Sequence, residues 1–241
     1  MVTLVKFCKP EHNILNKCHE IRFGTLQDYR EMNPSFSIAD QDEGREYTDI
    51  ISADPNTTSP EALKIIPPAW RGATISYSRV ETTFPNCYIW CCSKSDKPVS
   101  PEMGLKFHKE YTSYYEITDA FRFCEFLTGL LMNFITSSNF ADSSKNILQG
   151  LSVREMGEIG VQAFHSPVFY VPEKKSEINR GLLRTYEENV PKGLRPLFTK
   201  LDKYKQENEY RFVFIFRHSR RGTLAVRKDP VQIPILPIAY I

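Results

Sequence analysis

The ten residues 207–216 constrain the fold of this chain more than any other stretch. They begin with two acidic residues and run into aromatic and β-branched side chains, a pattern typical of a core strand. Because side chains alternate across a strand, every second residue lies on the same face. One predicted face carries Glu207, Glu209, Arg211, Val213 and Ile215. The aromatic residues between them are predicted to pack on the other face.

Two carboxylates at the entrance of a buried strand form a candidate catalytic pair. Glu207 and Glu209 stand two residues apart, and partial burial tunes the basicity of a carboxylate, which acid–base chemistry exploits. The alternative is a solvated strand entrance in which a glutamate pairs with Arg211. On this stretch alone, the alternative is favoured.

The composition is that of an ordinary globular protein. The 241 residues are 41% hydrophobic and 25% charged, and the formal net charge of +2 gives no global reason to invoke a nucleic acid or a membrane. No apolar run has membrane-spanning length, and the N-terminus lacks the layout of a signal peptide. The six cysteines form neither a disulfide framework nor metal-ligand pairs. We therefore expect a cytoplasmic protein without a metal.

Residues 19–26 predict another short strand, which ends near a glycine and leads into a helical turn. Arg22 and Gly24 fall on the same predicted face. Glycine permits close approach of a ligand or another backbone, and the planar guanidinium of arginine binds phosphate oxygens in pairs. A phosphate-binding Arg22 and a surface arginine on an edge strand fit this stretch equally well.

A further predicted strand, from residue 82 to Cys92, ends at Ser93 and is followed by a polar run. A hydroxyl group at the exit of a strand is well placed to bind a ligand or a backbone group. A serine that begins a turn is the alternative, and this stretch alone favours it.

The remaining pattern predicts one strand-rich α+β domain over residues 1–241, with helices between the strands. Asp119 is a suitable N-cap for a helix from Ala120 to Phe134, in which apolar residues fall on one stripe. Residues 33–68 are polar and rich in turn formers, so they are predicted to form a long loop. We expect this loop to be mobile without a ligand and to cover either the active site or the path of the acceptor.

Three of these pieces occur in an order that resembles the arginine–serine–glutamate layout of NAD-dependent ADP-ribosyltransferases. They are the segments Ile21-Arg22-Phe23-Gly24-Thr25, Trp90-Cys91-Cys92-Ser93 and Glu207-Asn208-Glu209. The order is also similar to a widespread bacterial family of uncharacterised domains, which ends in a lysine followed by Glu-x-Glu-Tyr-Arg. Here that ending is Lys200 followed by residues 207–211. The similarity spans residues 20–216, and the ordered combination carries the weight.

The resemblance implies a split sheet with peripheral helices and a binding site for NAD, which is consumed as a substrate. It implies that Arg22, beside Gly24, binds the NAD pyrophosphate. Ser93 is implied to hold the ribose on the nicotinamide side. Tyr29 or Tyr88 is implied to stack on the nicotinamide ring.

For the chemistry, the resemblance implies that Glu209 stabilises the cationic ribose as nicotinamide leaves, while Glu207 orients or deprotonates the acceptor. The basic turn with Arg217, Arg220 and Arg221 lies at the far end of the same strand. Such residues are what a nucleic-acid acceptor requires, and a solvated turn is the alternative.

The expected function is that of a mono-ADP-ribosyltransferase toxin of bacterial toxin–antitoxin or phage-defence systems. Its expected partners are a macromolecular acceptor, RNA or protein, and an antitoxin protein, with no membrane involved. Two alternatives stay open. In an NAD glycohydrolase, water replaces the acceptor, and in a non-catalytic interaction domain the same fold acts by binding a partner.

Overall fold

Strands dominate the part of the chain that the structure, a computed structural model, describes. This part comprises residues 3–16, 19–32, 44–50, 78–142, 144–148, 150–171 and 191–235. Its strands are β1 (Thr3–Cys8), β2 (Glu20–Thr25), β3 (Arg45–Ile50), β4 (Ser78–Thr83), β5 (Tyr88–Ser95), β6 (Ser113–Ile117), β7 (Ile159–Pro167), β8 (Phe169–Val171), β9 (Thr199–Leu201), β10 (Glu209–His218), β11 (Gly222–Leu224) and β12 (Val231–Pro234). Its α-helices are Leu26–Glu31, Ala120–Phe134 and Ser137–Ala141, and its 3₁₀ helices are Pro10–His12, Pro101–Lys106, Val153–Glu158, Lys192–Phe198 and Asp202–Glu207.

The central element is β10, the strand that the aromatic stretch predicts. On one edge it pairs antiparallel with β7 from Tyr210 to His218. On the other edge it pairs antiparallel first with β5 and then, near its end, with β11. Both edges of this strand are therefore paired, which leaves few of its backbone N–H and C=O groups exposed. Its nearly continuous run of apolar side chains fits the packing of both of its faces.

The second edge of β5 forks. Close to its start, β5 pairs with β2 at Tyr88 and Ile89, and close to its end it pairs with β1 from Ser93 to Ser95. The three residues between these two contacts, Trp90 to Cys92, are paired with neither β1 nor β2. β6 continues the sheet beyond β1, and β12 continues it beyond β2. We call the gap between β1 and β2 along β5 the fork.

The larger core covers the aromatic face of β10. Phe212, Phe214 and Phe216 are fully buried there, and Phe214 meets Phe23 edge-to-face with ring centroids 5.6 Å apart. The helix Ala120–Phe134 packs on this face, as its apolar stripe predicts. It begins where predicted, because a carboxylate oxygen of Asp119 accepts a hydrogen bond from the N–H of Arg122 (3.0 Å).

The smaller core lies on the opposite face and surrounds Val213 and Ile215. It includes Ile89 from β5, which is the cross-strand partner of Val213. This apolar core ends at the next residue pair, Arg211 and Cys91, where the face becomes polar. The functional candidates therefore occupy the polar end of a face whose other end is packed.

The predicted α+β class is confirmed, with two corrections to its details. β10 begins at Glu209, and Glu207 belongs to the preceding 3₁₀ helix, so the prediction that both glutamates lie in the strand is wrong for Glu207. Within the predicted loop 33–68, residues 45–50 form β3, which pairs with β4. The predicted loop residues 33–43 and 51–68 lie outside the described residues. No helix of the described chain is both long and apolar enough to cross a membrane.

Candidate active site

The candidate residues of the late strand lie where β10 begins. Glu209 is its first residue, and hydrogen bonds from the β7–β8 region hold its backbone. The N–H of Glu209 donates to the hydroxyl oxygen of Tyr170 (2.8 Å), and its carbonyl oxygen accepts from the N–H of Val168 (3.0 Å). The side chain is 6% exposed, so the carboxylate lies inside the protein.

Four charged side chains form a buried charge cluster at this point: Lys200, Glu207, Glu209 and Arg211. The Nζ atom of Lys200 lies 2.8 Å from Oε2 of Glu207 and 2.7 Å from Oε2 of Glu209. The Nε atom of Arg211 lies 2.7 Å from Oε1 of Glu209, and its guanidinium also donates to the carbonyl oxygen of Leu197. None of the four is more than 7% exposed. Burial of charge at this level requires opposite charges and hydrogen bonds, and both are present.

Three elements bring the charge cluster together. Lys200 is the middle residue of β9, which pairs in parallel with β8. Glu207 ends its 3₁₀ helix, and Asn208 then adopts a φ angle of 43°, a left-handed conformation that asparagine tolerates well. The side-chain amide of Asn208 donates to the carbonyl oxygen of Lys94 on β5 (2.7 Å). This turn directs Glu207 and Glu209 toward the same ammonium group.

The surroundings push the pKa values of the two carboxyl groups in opposite directions. Burial alone raises the pKa of Glu209, but Arg211 and Lys200 outweigh it and hold that pKa well below its usual range. Burial is the largest cause for Glu207 and raises its pKa to about 7, with Lys200 opposing the rise and Glu209 adding to it. Near neutral pH, Glu209 is ionised and Glu207 exchanges a proton. Such a separated pair suits acid–base chemistry.

Two adjoining pockets open near the charge cluster, and the second extends through the fork to residues of the larger core. The glutamate pocket, of about 100 Å³, is lined by Glu207, Glu209, Lys200, Arg211 and Ser93, among others. The fork pocket, of about 500 Å³, lies along the fork and includes Arg22 and Trp90. Five residues line both pockets and so mark their junction: Lys6, Phe7, Tyr29, Cys91 and Tyr111. Together the two pockets form a cleft of the size that takes a nucleotide-like molecule.

Ser93 lies directly opposite Glu209. The two residues are cross-strand partners of β5 and β10, which places their Cβ atoms about 4.5–5.5 Å apart on the same face. Ser93 also lines the glutamate pocket. The structure therefore brings together the serine and the glutamate that the sequence motifs single out.

Tyr29 and Gly24 form one unit at the junction of the two pockets. A Cβ atom at Gly24 would lie 2.9 Å from the Tyr29 ring, so the close approach that glycine permits here is made by this tyrosine. Gly24 itself lines neither pocket. Burial raises the pKa of the Tyr29 hydroxyl well above its usual value, which keeps it neutral.

Arg22 lies on the same cleft but farther from the carboxylates. It lines the fork pocket, and the glutamate pocket does not include it. Its guanidinium forms an ion pair with Asp28 (2.7 Å), and its side chain is 42% exposed. Arg22 is therefore available to a ligand at the outer part of the cleft.

Tyr88 does not belong to the site. It is fully buried on the aromatic face, with its ring 6.3 Å from Phe23 and 6.2 Å from Phe216. Tyr88 and Ser93 are five residues apart on one strand, so their side chains point to opposite faces. The prediction that Tyr88 stacks on a ligand is wrong.

The basic turn after β10 is also remote from the cleft. It follows the far end of a ten-residue strand, about 30 Å from Glu209 at the usual rise per residue. Arg220 pairs with Glu158, Arg221 pairs with Glu155 (2.6 Å), and Arg217 donates to the amide oxygen of Gln162 (3.3 Å). These contacts hold the turn against its neighbours and favour the interpretation of a solvated, ion-paired turn.

Sequence reasoning missed several residues of the cleft. Lys200 belongs to the motif, but its position between two carboxylates follows from the β8–β9 pairing, which its spacing does not reveal. Lys6 and Tyr111 line the cleft without any motif that marks them. Cys91 belongs to the motif that ends at Ser93, and the alternation of β5 places both residues on the same face, but no role was predicted for Cys91.

In the part of the chain that the structure describes, no group of three or more His, Cys, Asp or Glu side chains is arranged to hold a metal ion. The cleft instead offers two carboxylates, two cations beside them and three aromatic rings at its junction. This combination suits an organic ligand that develops positive charge. Comparison with protein-family models, curated proteins and solved structures found no match to this chain.

Proposed function

We propose that this protein is an NAD-dependent mono-ADP-ribosyltransferase that transfers ADP-ribose to a macromolecular acceptor, RNA or protein. The observation that carries the proposal is the buried pair Glu207 and Glu209, which shares Lys200 at the inner end of the cleft. Ser93 and Arg22 line the same cleft, in agreement with the arginine–serine–glutamate order of the motifs. A cytoplasmic toxin restrained by an antitoxin protein is the setting that this resemblance implies.

Glu209 supplies the electrostatic part of the reaction. As the bond between ribose C1 and nicotinamide breaks, positive charge develops on the ribose. Glu209 is ionised in the native protein because Arg211 and Lys200 lower its pKa. Since both cations fix its carboxylate in place, the negative charge needs no reorganisation when the ribose becomes cationic.

Glu207 supplies the proton transfer. The acceptor attacks C1 through a hydroxyl or amine group, which must lose a proton as the new bond forms. A carboxylate with a pKa of about 7 is well matched to accept that proton near neutral pH. The buried Oε1 atom of Glu207 has no hydrogen-bond partner among the described residues, so its capacity to accept a hydrogen bond is unused at the inner end of the cleft.

The other cleft residues bind and orient NAD. Ser93, opposite Glu209, offers a hydroxyl group to the reacting ribose. The ring of Tyr29 offers a flat apolar surface at the junction of the pockets. Arg22 offers a guanidinium to a phosphate at the outer part of the cleft.

An NAD glycohydrolase is the second candidate function. Glu207 is only 7% exposed, and a water molecule reaches such a group more easily than a large acceptor does. The chemistry at C1 is the same, with Glu207 taking the proton of water. The two candidates differ only in the final acceptor of ADP-ribose.

One experiment tests the proposal. The purified protein is incubated with NAD labelled in its adenine moiety and with whole-cell extract, and the products are digested with nuclease or with protease. Label lost to nuclease identifies a nucleic-acid acceptor, and label lost to protease identifies a protein acceptor. Free ADP-ribose with no labelled macromolecule identifies a glycohydrolase. If no label is transferred from NAD and no nicotinamide is released, the enzymatic proposal fails and a binding domain is indicated. Glu209→Gln serves as the control.

A further inference from the structure

We propose that the fork is an anion site, in which Lys6 binds the phosphate groups of a dinucleotide. This inference rests on the proposed function, because it names which part of NAD lies at the junction of the two pockets. It assigns the central phosphate contact to Lys6, a residue that no motif marks. Arg22 then lies farther from the glutamate pocket than Lys6 does and contacts the outer part of the ligand.

Lys6 occupies the fork itself. Its Nζ atom lies 2.6 Å from the carbonyl oxygen of Cys91 and 4.7 Å from the centroid of the Trp90 ring. Both partners belong to the stretch of β5 that neither β1 nor β2 pairs with. The ammonium group therefore lies where the sheet opens, and it lines both pockets.

The charge of Lys6 is not neutralised within the described part of the chain. No carboxylate there forms an ion pair with it, and its contacts are a carbonyl oxygen and an aromatic face. Its neighbours in the cleft differ: Arg22 pairs with Asp28, and Lys9 pairs with Glu110 (2.6 Å). An ammonium group has three N–H donors, so two remain for an anion.

The backbone of β5 adds a second donor to the fork. In a strand, the N–H and the C=O of one residue point toward the same edge. Because the carbonyl of Cys91 points toward Lys6, the N–H of Cys91 also points into the fork. A cation and a backbone N–H on one side of a gap are a combination that phosphate oxygens favour.

The position of Lys6 between the pockets indicates which part of NAD it contacts. The reacting ribose belongs in the glutamate pocket, beside Glu209 and Ser93. The larger fork pocket, lined by Trp90 and Tyr115, suits the remaining nucleoside. The group that joins the two halves must then pass the junction, where Lys6 lies. A substrate with a pyrophosphate link is therefore favoured over a single nucleoside.

A purely structural role is the competing explanation. Lys6 replaces a missing ladder hydrogen bond by donating to Cys91, and this contact alone would hold the fork in shape. Glutamine at this position keeps a donor for the carbonyl oxygen but carries no charge. Lys6→Gln and Lys6→Met therefore separate the two roles.

Binding of ADP-ribose, which has both phosphates but no nicotinamide, is measured by calorimetry for the wild type, Lys6→Gln, Lys6→Met and Lys145→Met. Lys145 is an exposed lysine outside the cleft that pairs with Asp142 (3.7 Å), so its variant controls for loss of one positive charge. Melting temperatures are recorded for all four proteins. We expect both Lys6 variants to bind ADP-ribose at least about tenfold more weakly than the wild type, and Lys145→Met to match it.

Three results overturn the anion site. If Lys6→Gln binds ADP-ribose as the wild type does while Lys6→Met does not, Lys6 only holds the fork. If both Lys6 variants bind as the wild type does, Lys6 has neither role, and the proposed transferase function still stands. If the wild type itself binds neither NAD nor ADP-ribose, the proposed function fails, and the anion site fails with it.

Discussion

Glu207 and Glu209 share one ammonium group, because the Nζ atom of Lys200 lies within 2.8 Å of a carboxylate oxygen of each. Glu209 has a second cation, Arg211, and stays ionised. Glu207 is buried beside a like charge, so it binds a proton near neutral pH. One ammonium group therefore contacts two carboxyl groups that differ in protonation near neutral pH.

Glu209→Gln is expected to reduce turnover by roughly a hundredfold or more, because it removes the negative charge that faces the developing cation. It also leaves Lys200 and Arg211 buried beside a neutral group, so we expect a loss of stability of up to about 3–5 kcal/mol. Nicotinamide release is measured per mole of folded protein, with folding followed by circular dichroism. Wild-type turnover in the folded fraction would show that Glu209 is structural.

Glu207→Gln is expected to remove a pH dependence. In the wild type, the rate of transfer should rise as the pH increases through about 7, because only the ionised form of Glu207 accepts a proton. The variant should lose most of the transfer and show no such rise. Glu158→Gln is the control: this carboxyl has a pKa of about 2, is held by Arg220 and lies outside the cleft. An unchanged pH profile in Glu207→Gln would contradict the assignment of the base.

Gly24→Ala is expected to destabilise the protein through Tyr29. The new Cβ atom would lie 2.9 Å from the tyrosine ring, and such overpacking costs about 1–3 kcal/mol of stability. In a Tyr29→Ala background the same substitution should cost little, so a double-mutant cycle measured by urea unfolding gives a coupling energy. Gly129→Ala, in open space on the helix Ala120–Phe134, should instead be neutral or stabilising. Additive effects of the Gly24 and Tyr29 changes would refute the coupling.

Two aromatic substitutions separate the core from the cleft. Phe214→Ala should destabilise the protein by about 3–5 kcal/mol, because Phe214 is fully buried against Phe23. Tyr88→Phe should leave stability and NAD binding unchanged, since its buried hydroxyl has no hydrogen-bond partner among the described residues. Chemical denaturation and calorimetry measure the two effects. Weaker NAD binding by Tyr88→Phe would return Tyr88 to the site.

The sequence predicts features that depend on local periodicity and misses those that depend on long-range pairing. Alternation correctly places Glu209, Arg211, Val213 and Ile215 on one face, because the period of two is set by the backbone. The same rule, applied from Ser93 back along β5, would have excluded Tyr88. It fails at Glu207, where the left-handed Asn208 separates a 3₁₀ helix from the strand.

The sequence could not predict which charged side chains form ion pairs with one another, and the reason is physical. Lys200 reaches both glutamates because β9 pairs in parallel with β8. Arg221 forms an ion pair with Glu155, which lies on the 3₁₀ helix Val153–Glu158. Glu155 and Arg221 are far apart in the chain, whereas Lys200 is only seven residues from Glu207. Both ion pairs nevertheless depend on how separate elements pack, and no spacing rule encodes them. Composition and periodicity therefore indicate the class of fold and one face of the site, but not its electrostatics.

The place of β10 in the chain also affects when the cleft can form during translation. Its partners β5 and β7 are both synthesised earlier, and they are not paired with each other. A nascent chain that has not reached residues 209–218 contains neither Glu209 nor Arg211. It also lacks the strand that pairs with both β5 and β7. The cleft, and any activity that depends on it, therefore forms only after the ribosome has passed this strand.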